Sequence, residues 1–235
     1  MSDTAGARRQ FGEGPLARAA ALVYTLLVVE ALLVVTTAPG LVLLVLLDRD
    51  ASNVPLAAAC ALPLGPAVSA ALYALWHRGS DLTDLRPAVA FWRGYRRNVA
   101  DALRIWVPLL VVLTVVAVNL THLGAAGVPS WWAVPLVLVA VAVALSAANA
   151  LVITSLFAFR TLDVIRLAGY FLVRRPTGTL ANACLLVVAG GLTAASSEAV
   201  TLLLSSVFAL ALLRDGRAMV AEVHERFTTE GAGGR

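Results

Sequence analysis

The 235-residue chain is 60% hydrophobic and 14% charged, with a mean hydropathy of +0.86, far more apolar surface than one soluble core can hide, so a water-soluble domain is excluded and lipid is the expected solvent. Its net charge of +4 and pI near 9.7 come from 18 basic residues that are all arginine. They lie beside apolar runs and in no soluble nucleic-acid fold, so anionic lipid head groups are the expected counter-charge and nucleic acid is not.

A polar tail, residues 1–19 with Arg8, Arg9 and Arg18, leads into a first apolar run over residues 20–47. That run is much longer than the roughly 7–15 residues of a signal h-region, so it reads as an uncleaved signal anchor. It also exceeds a hydrocarbon core of about 30 Å, and Pro39-Gly40 predicts a tilt or a break. A polar turn precedes a second span over residues 54–76, which carries Pro55, Pro63 and Pro66. Ala57, Ala61, Gly65 and Ser69 recur every four positions, a stripe of small residues if the helix stays regular; an interruption near Leu64 to Pro66 is the other reading.

Residues 77–104 form the longest polar stretch, basic and amphipathic, with Phe91, Trp92 and Tyr95 beside Arg93, Arg96 and Arg97, the composition of a segment at the head-group boundary. A third span is expected over 105–120. An uncharged loop ending in Trp131-Trp132 leads to a fourth over 133–159, and residues 160–175 read as a second interfacial helix. The remaining apolar stretch is too long for one crossing. It divides at its most polar interior point, residues 194–198, into a fifth span over 177–195 and a sixth over 200–213, with Glu198 in an external turn and a charged tail over 214–235.

The arginines support this layout. Three precede the first span, six lie in 77–104, four in 160–175 and four in the final tail, against Arg49 alone in the intervening loops. By the positive-inside rule the arginine-bearing segments are cytoplasmic. The expected fold is an all-α, polytopic transmembrane bundle over 20–213, with six spans, both termini cytoplasmic and amphipathic interfacial helices, in a bacterial inner membrane.

Glu30, midway along the first span, is the candidate intramembrane functional residue, because a carboxylate there is costly and faces a partner, cavity or pathway. It reads first as a carboxyl hydrogen-bonded between helices and second as a proton- or substrate-coupling group. Asn119, Asn149 and Asn182 are further candidates, and with Ser146, Thr154, Ser205 and Ser206 they suit interhelical hydrogen bonding. Cys60 and Cys184 sit alone in apolar runs and read as buried packing residues. His77, His122 and His224 lie in separate segments. No nucleophile elbow, Walker A, zinc spacing or dinucleotide motif occurs, so no catalytic, cofactor-binding or metal residue is expected and nothing argues for an enzyme.

Residues 65–98, GPAVSAALYALWHRGSDLTDLRPAVAFWRGYRRN, resemble the central signature of the YesL-like family of small bacterial membrane proteins. The pattern falls on Pro66, Ala67, Phe91, Trp92, Tyr95, Arg96, Arg97 and Asn98, and extends more loosely to the later interfacial helix and the final hairpin. The first span departs from it at Glu30. The resemblance implies a protein of unestablished biochemistry, often encoded near carbohydrate-uptake ABC transporters and their regulators, and therefore an accessory or regulatory role with permease subunits as partners. A small transporter or channel using Glu30 and the proline-broken helices, as a homo-oligomer or alone, is the alternative; a membrane enzyme or redox partner is the weakest. The run Phe91 to Arg97 reads equally as an interfacial anchor or as a docking surface for a partner.

Overall fold

In the computed structural model, residues 15–48, 50–78, 86–196 and 198–225 are described. Among them the chain forms ten α-helices and no strand. These are α1 (Pro15–Leu46), α2 (Val54–Cys60), α3 (Leu64–Trp76), α4 (Pro87–His122), α5 (Ala133–Leu156), α6 (Thr161–Arg174), α7 (Pro176–Ala195), α8 (Glu198–Leu202), α9 (Ser205–Asp215) and α10 (Arg217–Val223), with short 3-10 turns at Ala51–Asn53 and Ser130–Trp132. Five helical stretches are long and apolar enough to cross a membrane: Pro15–Leu46, Ala51–Trp76, Pro87–His122, Ser130–Leu156 and Pro176–Ala195. The chain is a membrane protein built as a helix bundle.

The bundle is organised around α3. This short, alanine-rich helix is buried at nearly every position from Gly65 to Leu75, enclosed by α1, α4, α5 and α9. Small side chains explain its place, because lipid supplies no hydrophobic drive between helices and close van der Waals contact must supply it instead. Gly65 lies under the Trp106 ring of α4, where an added Cβ would come within 2.4 Å of Cγ. Gly94 of α4 sits on the Tyr73 ring, with the corresponding approach 2.8 Å.

Two expected breaks resolve differently. The helix α1 runs on through Pro39, with Gly40 against the end of α2 so closely that a Cβ there would lie 2.0 Å from the Cys60 carbonyl oxygen. Pro39-Gly40 therefore marks a helix crossing rather than a break. The second span is interrupted, a little earlier than the expected Leu64 to Pro66, at Ala61–Pro63. In this turn the Ala61 oxygen accepts from the Leu64 N–H at 3.2 Å and also from the Trp106 indole Nε1–H at 2.9 Å, a donor that stands in where water is scarce. The stripe of small residues is split by this turn, and only its second half, Gly65 and Ser69, is buried. Trp106→Phe keeps the ring over Gly65 but removes the donor, and is expected to lower stability by about 1–2 kcal/mol, read as thermal unfolding in detergent.

The expected boundary between an interfacial segment 77–104 and a span 105–120 does not exist as a structural end. From Pro87 the chain is one helix of 36 residues, about 54 Å at 1.5 Å per residue, polar in its first half and apolar in its second. The last apolar stretch is also not the single helix expected over 200–213. It forms α8 and α9, separated at Leu203-Leu204, and Glu198 opens α8 instead of lying in a turn. Across the hairpin the Thr193 and Thr201 hydroxyls are 2.7 Å apart. The expectation that both cysteines are buried also fails: Cys60 is half-buried and Cys184 is exposed on the apolar surface of α7.

Candidate functional site

The intramembrane polar residues divide by what they bond. Glu30 lies midway along α1, beside the buried stripe Thr25, Val29, Leu33 and Thr37. Its Oε1 accepts from the Ser205 hydroxyl at 3.0 Å, and its Oε2 accepts from the Ser206 backbone N–H at 2.7 Å. The carboxyl of the first helix thus caps the N-terminus of α9, where unpaired N–H groups and the positive end of the helix dipole favour an acceptor. Leu204, the residue at the N-cap, makes no side-chain cap of its own, so an acceptor 175 residues away in sequence substitutes for it.

Asn149 and Asn182 are brought together: Asn182 Nδ2 donates to Asn149 Oδ1 at 3.1 Å, joining α7 to α5. Asn149 Nδ2 reaches the Ala168 carbonyl of α6 at 3.5 Å, a long and weak bond. The Ser155 and Ser69 hydroxyls pair at 3.0 Å, and Asn98 Nδ2 donates to the Ser155 carbonyl at 3.3 Å, so α3, α4 and α5 share one buried polar junction. The sequence presents Asn98 only as part of a family pattern and Ser69 only as a member of the small-residue stripe, and it does not single out Ser155. The i, i+3, i+7 spacing of Phe91, Gly94 and Asn98 was the available signal. Asn119 joins no other helix; it is exposed and its Nδ2 donates to Val115 of its own helix at 2.7 Å. Thr154 likewise bonds back to Ala150 at 2.8 Å.

The arginine-bearing run divides by face. Phe91 is fully buried, Gly94 and Asn98 face the bundle, and Tyr95 is half-buried, whereas Trp92, Arg93, Arg96 and Arg97 are exposed. Phe91 is therefore a core residue and not part of a surface. Trp92 stacks on Tyr95 with ring centroids 5.6 Å apart and planes 6° apart, and the Arg96 guanidinium lies 5.2 Å above the Trp92 ring. The result is a rigid aromatic and cationic platform held by three inward keys. A second link closes this end of the bundle: Arg175 donates from Nε and Nη2 to Glu222 Oε2 at 2.9 and 2.7 Å, tying the end of α6 to α10. Arg8 and Arg9 lie outside the described residues. Among the described residues no group of three or more His, Cys, Asp or Glu is placed to hold a metal ion.

Residues 26–120 match the model of a family described as "Protein of unknown function, DUF624". No curated protein and no solved structure matches the chain. The DUF624 segment runs from within α1 almost to the end of α4. It holds Glu30, the Gly65 and Gly94 contacts and the whole platform, and it encloses the residues 65–98 on which the YesL-like resemblance rests. The Asn149–Asn182 pair and the α9 terminus that Glu30 caps lie beyond it.

Proposed function

We propose that this chain is a non-catalytic, multi-pass protein of a bacterial inner membrane whose working surface is the arginine-rich end of the bundle. It acts there as an accessory or regulatory subunit of a carbohydrate-uptake ABC system. The observation that carries the reading is the division of polar groups. Inside the spans Glu30, Asn149 and Asn182 bond to other parts of the same bundle, while Trp92, Arg93, Arg96 and Arg97 stand exposed on a helix locked to its neighbours. Exposed aromatic and arginine side chains on a rigid element suit a docking surface. The choice of a sugar-uptake partner is supported by the YesL-like resemblance alone.

The topology follows from the same end. Arg78, which ends the second span, is close enough to Arg214 and Arg217 to feel their charge, so α8 and α9 together are read as the sixth crossing. Their 18 residues span about 27 Å, and both termini fall on the cytoplasmic side with the arginines. A reporter fused at position 197 is expected to be periplasmic.

A second reading, a small transporter, is favoured by one feature: the helix broken at Leu203-Leu204 with a carboxyl at its new N-terminus, an arrangement that transporters use to hold substrates or ions. Flux in liposomes separates the two. Purified protein that moves sugars or ions alone sinks the accessory reading. Replacing Arg93, Arg96 and Arg97 together with glutamine is expected to abolish copurification with the permease subunits while leaving insertion normal; inverted or failed insertion assigns the platform to anchoring instead.

A further inference from the structure

Beside the platform, where α3 ends and α4 begins, a cavity of about 240 Å³ opens. Arg78, Arg86 and Arg93 line it, with His77 and Thr25, and among the described residues no carboxylate does. Arg78 is the telling member: its Nη1 is buried and, among the described residues, has no hydrogen-bond partner. An unpaired buried guanidinium N–H costs several times what an exposed one does, and such groups are expected to meet an acceptor. Arg86 and Arg93 carry no ion pair among the described residues, in contrast to Arg104, which bonds Asp101 at 2.7 Å, and Arg175, which bonds Glu222.

The surroundings deepen the demand for negative charge. Burial, and then the nearby Arg214 and Arg217 guanidiniums, hold Arg78 below the usual arginine range. Arginine nonetheless stays protonated, so a cation held by burial and then by two like charges sits where a bound anion would offset both. On the cavity wall, His77 Nδ1 lies 3.0 Å from the Tyr73 carbonyl oxygen; a carbonyl only accepts, so the proton sits on Nδ1. The cavity is smaller than the roughly 300–1,000 Å³ of drug-sized sites, a size for a compact group and not for a sugar chain or a peptide.

We propose that this cavity is a binding site for a phosphoryl anion, held by Arg78, Arg86 and Arg93. Guanidinium forks match phosphate oxygens in pairs, which makes arginine the fitting residue here. The group comes from one of two sources, the head group of an anionic phospholipid or a soluble phosphate. The site shares Arg93 with the exposed platform, so its test is placed on Arg78 and Arg86, which line the cavity and lie outside the platform, and its failure is distinguishable from failure of the accessory reading.

The test uses the full-length protein, delipidated in a neutral detergent, and reads thermal stabilisation against added ligand. The probes are inorganic phosphate, short-chain phosphatidylglycerol, and short-chain phosphatidylcholine as the zwitterionic control. Saturable stabilisation by phosphatidylglycerol alone identifies a lipid head group, and stabilisation by phosphate as well identifies a soluble source; either supports the site. Arg78→Gln and Arg86→Gln are each expected to weaken the effective probe at least tenfold, and Arg104→Gln to leave it unchanged. Without added anion, Arg78→Gln is expected to be at least as stable as the parent, since it removes an unpaired charge. No saturable effect, an equal effect of phosphatidylcholine, or unaltered binding by both arginine variants overturns the proposal. So does an Arg78→Gln protein less stable than its parent without anion. Binding that emerges only in an Asp81→Asn, Asp84→Asn double variant also overturns it, because the chain's own carboxylates would then be the anion.

Discussion

Gly94→Val is expected to destabilise the protein by about 3 kcal/mol, read as a lowered unfolding temperature in detergent. The backbone of α4 rests on Tyr73 at this point, and an added Cβ would lie 2.8 Å from the Cβ, Cγ and Cδ1 atoms of that residue. Relief by a shift of Tyr73 is blocked: it sits in the fully enclosed helix α3 and stacks on His77 with ring centroids 4.1 Å apart. The remaining route is separation of α4 from α3, which would also strain the Phe91 packing and the Asn98 bond to Ser155. Overpacking of this kind typically costs about 1–3 kcal/mol, with values at the upper end where nothing flexible can move. Gly65→Val, facing the Trp106 ring, is expected to behave similarly. Gly190 and Gly191 provide an internal comparison, since an added Cβ at either meets nothing within 4 Å. Alanine there is expected to be neutral or to stabilise by up to about 1 kcal/mol, because glycine is the poorer helix former.

Glu30→Ala is expected to cost about 2–4 kcal/mol, and Glu30→Gln about 1 kcal/mol. The alanine variant leaves the Ser206 N–H and the Ser205 hydroxyl without acceptors at a depth where water is scarce, and a lost cap together with an unmade hydrogen bond accounts for the range. Glutamine retains one side-chain oxygen for the same donors. The Ser205→Ala change on the Glu30→Ala background should therefore add little, since the pair acts as a unit. Coupling to solute movement makes a different forecast, in which glutamine would abolish flux without altering stability. Thermal unfolding and liposome flux on the same three proteins separate these outcomes.

Why some features were legible in the sequence and others were not has physical reasons. The apolar runs were visible because each must match the thickness of a bilayer, and five of them are found as long helices. Boundaries drawn where composition changed were less secure. At residues 104–105 the side chains change from polar to apolar because the solvent changes, while the backbone of α4 continues its hydrogen bonding through both. In an over-long apolar run Pro39-Gly40 predicts a tilt or a break, yet the helix continues and the glycine is used for contact with the Cys60 carbonyl. Glu30 could be singled out from its cost in lipid. Its partner could not, because half of that partner is a backbone N–H, which every residue but proline offers. The Asn149–Asn182 pair lay within reach as two amides in apolar runs, but Asn119 shares that description and bonds only its own helix. Periodicity separates them poorly where a helix faces lipid on most sides.

Asn182 is the one buried residue of α7. The remaining length of that helix shows mostly apolar or small side chains to its surroundings, among them Leu180, Val187 and Val188. Hydrocarbon solvates such side chains as well as protein does, so little is lost if they exchange one for the other. The wall formed by α7 is thus moored at an amide, and its swing away from α5 is opposed by that hydrogen bond, by packing against α9 and by the tethers at its two ends. Cys184 lies two positions beyond the mooring and is already open to the bilayer. A nitroxide attached there would sense opening as a change in mobility, at a site where the label itself displaces nothing.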